Sequence, residues 1–464
     1  MHSDNEKDDS KSSTFEANRP RSNEDLQDVD GARLPEMEDE GKPWYKSIGP
    51  GLITGAADDD PSGIGTYSQC GASFGYGQLW LAPFCIPLMI SVQEMCGRVA
   101  LVTGEGIAAV LKDHYPRWLL YGSVALLFLA NSLNVYADLN VMAASAKMLF
   151  GLHLYFWLTV LVLTIGVLEI FVPYRRFAGV LKFSCLALGA YFVVPFLRGS
   201  HNDWGNIASH LVLPVWKPNL DFTLAATAFL GTTISPYLFF WQAGETVEEE
   251  LATGKSDEPG RRKQRVKESE IRNLRADTVL GMITSQLVAF FIIIATAGVL
   301  YRPGHPVTIN SAMDAAQALR PLGPAAVWIF SIGMIGTGFL AIPTLAGSAA
   351  YAAAEAFGWR YGLFRRFRRA PGFYLTVLAV LLVGFLLNFF TQISPIKALV
   401  YSAVVNAIVA VPLLLVLLHI CNNGKILGRR TNGIWSNVFG WASFVCMGAA
   451  SAFFIWAVVS GKAS

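Results

Sequence analysis

Three consecutive aspartates followed by a proline, Asp58-Asp59-Asp60-Pro61-Ser62-Gly63, lie inside an otherwise apolar stretch of this 464-residue chain. Carboxylates are hard oxygen donors that suit cations or carry protons. Facing lipid they would be unfavourable, since even a lenient insertion scale puts one central Asp at about 2.5–3.5 kcal/mol. Pro61 removes a backbone donor and disfavours helix at Asp60, and Gly55, Gly63 and Gly65 loosen the turn. Helix is expected to unwind here, and unwound backbone persists in a membrane only where it lines a protein cavity. The competing reading ends a helix at a water interface, but apolar and small residues flank the run on both sides. A second apolar stretch, FLGTTISPYLFFWQAGE, carries Pro236 after Thr232, Thr233 and Ser235, whose hydroxyls can serve freed backbone groups. A lone proline kink is common in membrane helices, so its position relative to the first break has to decide its meaning.

Other polar residues stand in apolar surroundings. Asn131, Asn134 and Asp138 are spaced i, i+3, i+7 and share one helix face. They read either as interhelical glue or, for Asp138, as a relay for protons or a second ion. Asn406 is isolated and reads as glue, with a ligand role as the alternative. Glu94 and Arg98, spaced i, i+4, are expected to pair as ions. Glu245 with Glu248-Glu249-Glu250 reads as a solvated run, with attraction of cations to an inner vestibule as the alternative. The six cysteines show no metal-ligand spacing.

The elements that must position these residues are membrane spans. The chain is 53% hydrophobic and 15% charged, where a soluble domain would carry about 25% charged residues. Its net charge of +2 gives no global basic field for nucleic acid. A span needs roughly 20 apolar residues, and such stretches fall at 49–71, 79–103, 118–149, 155–173, 177–198, 222–243, 274–300, 324–356, 372–390, 395–419 and 434–460. Lys and Arg cluster after spans four, six, eight and ten (Arg175 and Arg176; Lys255 to Arg272; Arg360 to Arg369; Lys425 to Arg430). Basic loops stay cytoplasmic, so the N-terminus is expected in the cytoplasm and the C-terminus opposite. Residues 1–45, polar and mixed in charge, read as a disordered cytoplasmic tail ahead of a transporter domain at 46–464.

The order of spans then gives the second proline its meaning. Spans 1–5 and 6–10 form two halves, approximately 46–200 and 220–420. Because five is odd, the halves run in opposite senses, and spans one and six are equivalent members. Interrupted helices at corresponding places in inverted repeats point to a transporter binding site. The unwound carbonyls and an Asp carboxylate would coordinate a cation there.

The run GPGLITGAADDDPSG resembles the first helix of the NRAMP (natural-resistance-associated macrophage protein) metal transporters, whose hallmark is Asp-Pro-Gly-Asn. VQEMCGRVALVTGEGIA is similar to that family's second helix, YADLNVMAASAKMLFG to its third, and YRRFAGVLKF to its fourth-to-fifth connection. GTTISPYLFFWQ falls where the family has Met-Pro-His-Asn. The resemblance implies an all-α, LeuT-type 5+5 inverted repeat with an eleventh helix, helices one and six broken mid-membrane, and no enzymatic activity. It further implies uptake of a divalent metal across the plasma membrane, with protons as the coupling ion and no cofactor or obligate protein partner. Carried over by position, the metal ligands would be Asp60, the Ala57 and Thr232 carbonyls and the Ser235 hydroxyl, with Asp59 as a supporting charge. Asp138, Asn131, Asn134, Tyr237, Gln242 and Asn406 would support coupling or surround the ligands. The family's Asn falls on Gly63, its Met on Ser235, and its His and Asn on Tyr237 and Leu238. That leaves an all-oxygen set, which favours Mg²⁺ or Mn²⁺ over Fe²⁺ and resembles the family's divergent magnesium and manganese branches. The alternative is a LeuT-type amino-acid or other organic-solute transporter, against which three aspartates at an anion-binding position argue.

Overall fold

The computed structural model describes residues 50–172, 186–215, 219–262, 266–303, 307–391 and 393–460. The expected tail and the first part of the fifth span, 177–185, lie outside them. A first helix, α1 (Pro50–Asp58), stops and α2 (Pro61–Phe74) starts after Asp59 and Asp60. Then follow α3 (Leu81–Thr103), a short α4 (Ile107–His114), α5 (Arg117–Phe150) and α6 (Leu154–Phe171). Residues 186–196 form short helical turns, the described remnant of the fifth span. The second interrupted pair is α7 (Leu220–Thr233) and α8 (Pro236–Ala252). The chain continues through α9 (Glu268–Leu300), α10 (Ala325–Phe357), α11 (Pro371–Phe390), α12 (Pro395–Asn422) and α13 (Ile434–Val459). A two-stranded antiparallel ribbon, Ser256–Glu258 with Arg261–Arg262, fills the loop before α9.

Among the described residues, nine segments are long and apolar enough to cross a membrane, counting Leu220–Ala252 as one. Peripheral helices show why lipid is their solvent. On α6 the buried residues Leu158, Leu161, Ile165 and Glu169 form one stripe, while Leu163, Val167 and Phe171 are exposed. On α13 the buried stripe is Gly440, Ser443, Met447 and Ser451, with Val438, Val445 and Ile455 outward. Only small or narrow stripes face the protein, so the larger apolar surface needs an apolar medium. The chain is an all-α, multi-pass integral membrane protein.

Two groups of helices build the interior. In one, α9 packs along α1, α2 and α3, and α8 packs on α3. In the other, α5 packs against α6, α10 and α11. The long α12 lies between them, touching α2, α5 and α7, with α13 outside. Glycines let backbones meet where helices pack closest. A Cβ at Gly55 would fall 2.4–2.6 Å from Gly281 backbone atoms on α9, and one at Gly231 would fall 1.9 Å from the Ala403 carbonyl on α12. Small residues are what allow such approach between membrane helices. The short α4 connects the two groups. Its first turn lies under Glu355 of α10, whose carboxylate accepts from the Ala108 and Ala109 amides at 3.0 and 3.2 Å.

The paired ions expected on α3 are present: Arg98 Nη2 lies 3.1 Å from Glu94, both buried. The acidic run on α8 is a correction. It is not solvated, because Glu245, Glu248 and Glu250 are all buried and α8 runs on to Ala252, past the expected end at 243. Glu248 accepts from the Tyr351 hydroxyl and, at 2.6 Å, from the Leu363 amide. Both donors come from distant sequence, which no local pattern announces.

Candidate cation site between two helix restarts

Both interrupted pairs restart with the same grammar. Pro61 and Pro236 each occupy the first turn of their helix, where proline's missing N–H is no loss and its fixed φ suits the helix. Asp60 is the N-cap of α2 and its Oδ1 accepts from Gly63 N at 2.6 Å. Ser235 is the N-cap of α8, yet its hydroxyl turns the other way, to the Gly231 and Thr232 carbonyls at 2.7 and 2.8 Å. Each junction thus offers a helix C-terminus, the end of the dipole that attracts cations, whose carbonyls are met by side-chain hydroxyls.

Tyr237 joins the two junctions. Its hydroxyl donates to the Ala57 carbonyl at 3.0 Å and lies 3.5 Å from Asp60 Oδ2. Ala57, Asp60, Thr232, Ser235 and Tyr237 are all buried, so the junction is closed to solvent. Two of the expected ligands, the Ala57 and Thr232 carbonyls, therefore already accept hydrogen bonds from Tyr237 and Ser235. An arriving cation would have to displace or share those donors.

The three aspartates diverge. Asp60 faces α8, whereas Asp58 and Asp59 turn to α9, where Ser285 donates to Asp58 and its Oγ lies 3.3 Å from Asp59 Oδ1. Asp59, expected as a supporting charge, is thus held on the α9 wall. No hydrogen-bond partner reaches the second oxygen of Asp58 or the Tyr67 hydroxyl among the described residues. Tyr67 nonetheless lies within electrostatic reach of Asp58, Asp59 and Asp60. Ser285 was not legible in advance, being one hydroxyl in an apolar span.

The surrounding amides are placed as follows. Asn134 and Asn406 form a reciprocal pair between α5 and α12 at 2.8 and 3.2 Å, and Asn406 Nδ2 lies 3.5 Å from Ser235 Oγ. Asn131 instead binds α10, donating to the Leu345 carbonyl at 2.7 Å and Ser348 at 2.8 Å. Gln242 accepts from Thr54 at 2.6 Å, tying α8 to α1. Asp138 is fully buried, lies within electrostatic reach of Asp60, and has no hydrogen-bond partner on either oxygen among the described residues. A buried carboxyl without a donor is unfavourable as a bare anion.

No group of three or more His, Cys, Asp and Glu side chains converges to hold a metal among the described residues. The polar atoms that meet at the junction are carbonyl, hydroxyl and carboxylate oxygens, the kind of donor that suits hard ions. Gly63, where an amide side chain could have completed the set, has no room to spare: a Cβ there lies 3.2 Å from Tyr67 and 3.4 Å from the Thr232 hydroxyl.

Residues 51–457 match the family described as natural resistance-associated macrophage protein-like. The divalent metal cation transporter MntH of Klebsiella pneumoniae is 26% identical over 412 residues, covering 85% of this chain and 90% of that protein. A crystal structure of the Eremococcus coleocola manganese transporter superposes with a TM-score of 0.69 at 16% identity, covering 91% of this chain and 89% of that one. A crystal structure of MhsT in complex with L-phenylalanine superposes with a TM-score of 0.53 at 12% identity, covering 90% and 99%. The fold is LeuT-like.

Proposed function

The chain belongs to the natural resistance-associated macrophage protein-like family, and from that premise we propose that it is a secondary-active transporter importing a divalent metal cation by alternating access. The observation that carries the reading is the junction where Asp60-Pro61 and Ser235-Pro236 meet, with Tyr237 touching both the Ala57 carbonyl and Asp60. Support comes from curated relatives named divalent metal cation transporters, which this chain matches over most of its length.

The cargo binds to the Asp60 carboxylate, the Ala57 and Thr232 carbonyls and the Ser235 hydroxyl, with Asp59 supplying charge from the α9 wall and water completing the shell. Mg²⁺ or Mn²⁺ is preferred over Fe²⁺, because no thioether or imidazole stands at the junction and Mg²⁺ keeps part of its water. The chain accordingly falls in a divergent, oxygen-ligand branch of the family. Asp138 carries the coupling proton, and Asn131, Asn134, Asn406 and Gln242 hold the surrounding helices in register. The architecture is a 5+5 inverted repeat, 46–200 and 220–420, with α1/α2 and α7/α8 as equivalent broken helices and α13 as the eleventh. The N-terminus and residues 1–45 lie in the cytoplasm, and the C-terminus lies outside the plasma membrane.

The test is uptake by proteoliposomes of Mg²⁺, Mn²⁺, Fe²⁺, Ca²⁺ and Zn²⁺, with internal pH followed in parallel. Asp60→Ala is expected to abolish Mg²⁺ and Mn²⁺ uptake; uptake at the wild-type rate would overturn the assignment. A second reading, transport of an amino acid, draws on the MhsT likeness. It requires free amides for a substrate carboxylate, but the Gly63 amide is bonded to Asp60. Competition of uptake by amino acids and not by metals would favour it.

A further inference from the structure

Away from the cation junction, Glu94 on α3 takes hydrogen bonds from two guanidinium groups. Arg98 reaches its Oε2 through Nη2 at 3.1 Å, and Arg275 of α9 reaches its Oε1 through Nε at 3.0 Å. Arg98 is itself buried and donates further to the Arg430 carbonyl at 2.7 Å and to Asn432 at 2.5 Å. One carboxylate against two guanidiniums leaves this cluster with a surplus positive charge. The surplus is expressed at Arg275, because its side chain is 54% exposed and Glu94 engages its Nε edge. The Nη edge of the planar fork remains, the edge that matches a phosphate or carboxylate bidentately.

Arg275 and Glu94 form the polar wall of a cavity of about 430 Å³ between α3, α9 and the start of α13. Its other walls are mostly apolar, with Pro87, Ile90, Ile434, Trp435 and Phe439 among them. The Ser91 hydroxyl donates to the Ser436 carbonyl at 3.0 Å and pins α3 to α13. Trp435 and Ile434 are 72% and 80% exposed on the first turn of α13, and Trp435 stacks on Phe439 at 5.9 Å. Tryptophan in such a place marks the boundary between headgroups and hydrocarbon. Further positive charge stands close in sequence, at exposed Arg272 one turn before Arg275 and at exposed Arg429 in the loop before α13; Glu268 pairs with Arg430 and lies within electrostatic reach of Arg275 and Arg272, which leaves the arginines in excess.

We propose that this cleft binds the phosphate of an anionic phospholipid, with Arg275 as the headgroup ligand and the Ile90, Ile434 and Phe439 wall receiving the start of an acyl chain. A volume of this size accommodates a headgroup and part of a chain. A soluble anion would leave the apolar walls bare. A zwitterionic headgroup would bring its own cation to a place that already holds a positive surplus. The inference rests on the membrane embedding of the chain and is independent of which solute it carries.

The full-length protein is purified from a mixed bilayer of phosphatidylglycerol and phosphatidylcholine, and retained lipid is counted by native mass spectrometry. Wild-type protein is expected to retain phosphatidylglycerol in preference, and Arg275→Gln to weaken that preference about tenfold, as for loss of one charge-assisted contact. Arg98 remains to neutralise Glu94 in that variant, so the fold is preserved, and thermal melting checks it. Trp435→Ala is expected to reduce retention of both lipids while leaving their ratio unchanged. Equal retention of the two lipids by the wild type, an unchanged preference in Arg275→Gln, or release of the lipid by millimolar inorganic phosphate would each overturn the proposal. The last would assign the cleft to a soluble anion.

Discussion

Tyr237→Phe removes a single oxygen from the centre of the proposed cation site, and the sign of its effect decides how that site works. The hydroxyl donates to the Ala57 carbonyl at 3.0 Å, a full hydrogen bond, and lies 3.5 Å from Asp60, too far to contribute much. If the Ala57 carbonyl is a ligand, the wild-type protein must give up that bond before the cation can take it. A net hydrogen bond between neutral groups is worth about 0.5–1.5 kcal/mol. Relieving the cation of that competition should tighten binding by about 2- to 13-fold. The phenylalanine ring keeps the packing volume, so the fold is unchanged. The assay is isothermal titration of purified protein with Mn²⁺ and Mg²⁺, beside the same titration of wild type. Weaker binding in Tyr237→Phe would refute the reasoning, because it would make the hydroxyl itself a ligand. Unchanged binding would remove Ala57 from the ligand set.

Ser235→Met places a thioether at the α8 restart and deletes the hydroxyl that now bonds the Gly231 and Thr232 carbonyls; binding of Cd²⁺ should rise relative to Mg²⁺ by on the order of tenfold, equivalent to about 1.4 kcal/mol, as read from competition titrations. Glu94→Gln leaves buried Arg98 without its counter-charge and should destabilise the protein by about 3–5 kcal/mol, seen as a lowered melting temperature in detergent. Melting at the wild-type temperature would show that the Arg430 carbonyl and Asn432 suffice for Arg98. Gly55→Ala drives a methyl into the Gly281 backbone; overpacking of about 1–3 kcal/mol is expected, with the loss read as faster proteolysis of α1. An unchanged cleavage rate would mean that α1 and α9 can part without loss.

The two helix interruptions were legible because their causes are local. Pro61 and Pro236 remove donors wherever they sit, and the structure restarts a helix at each. The long apolar helices were legible for the same reason, since length and hydropathy are properties of single segments. What stayed hidden was pairing. Nothing near Ser285 marks it as the partner of Asp58 and Asp59, and nothing near Gln242 names Thr54. Glu248 looked solvated because acids in a run usually are; Tyr351 and the Leu363 amide, more than a hundred residues away, bury it. Asn134 and Asn406 were each readable as polar outliers, but their mutual bond depends on α5 and α12 lying side by side. Side-chain type sets what a residue needs, and tertiary packing decides who supplies it.

The cap that Glu355 places on α4 bears on where the chain can bend. The carboxylate holds the Ala108 and Ala109 amides, so α4 is clamped to α10 although it continues directly from α3. Between the clamp and α3 lie Gly104, in a left-handed conformation at φ +73°, and Gly106, where any Cβ would fall 1.9 Å from the Glu355 carboxylate. The connection from Thr103 to Gly106 is tied down as well: Gly260 N of the ribbon donates to the Gly104 carbonyl at 2.9 Å, and the Thr103 hydroxyl donates to the Glu105 carbonyl at 3.1 Å. One buried acid and one ribbon amide thus fasten the end of α3 and the start of α4 to separate parts of the fold. A change in the packing of α10 on α4 therefore bears on the end of α3 through Glu355 and not through a sequence-local contact.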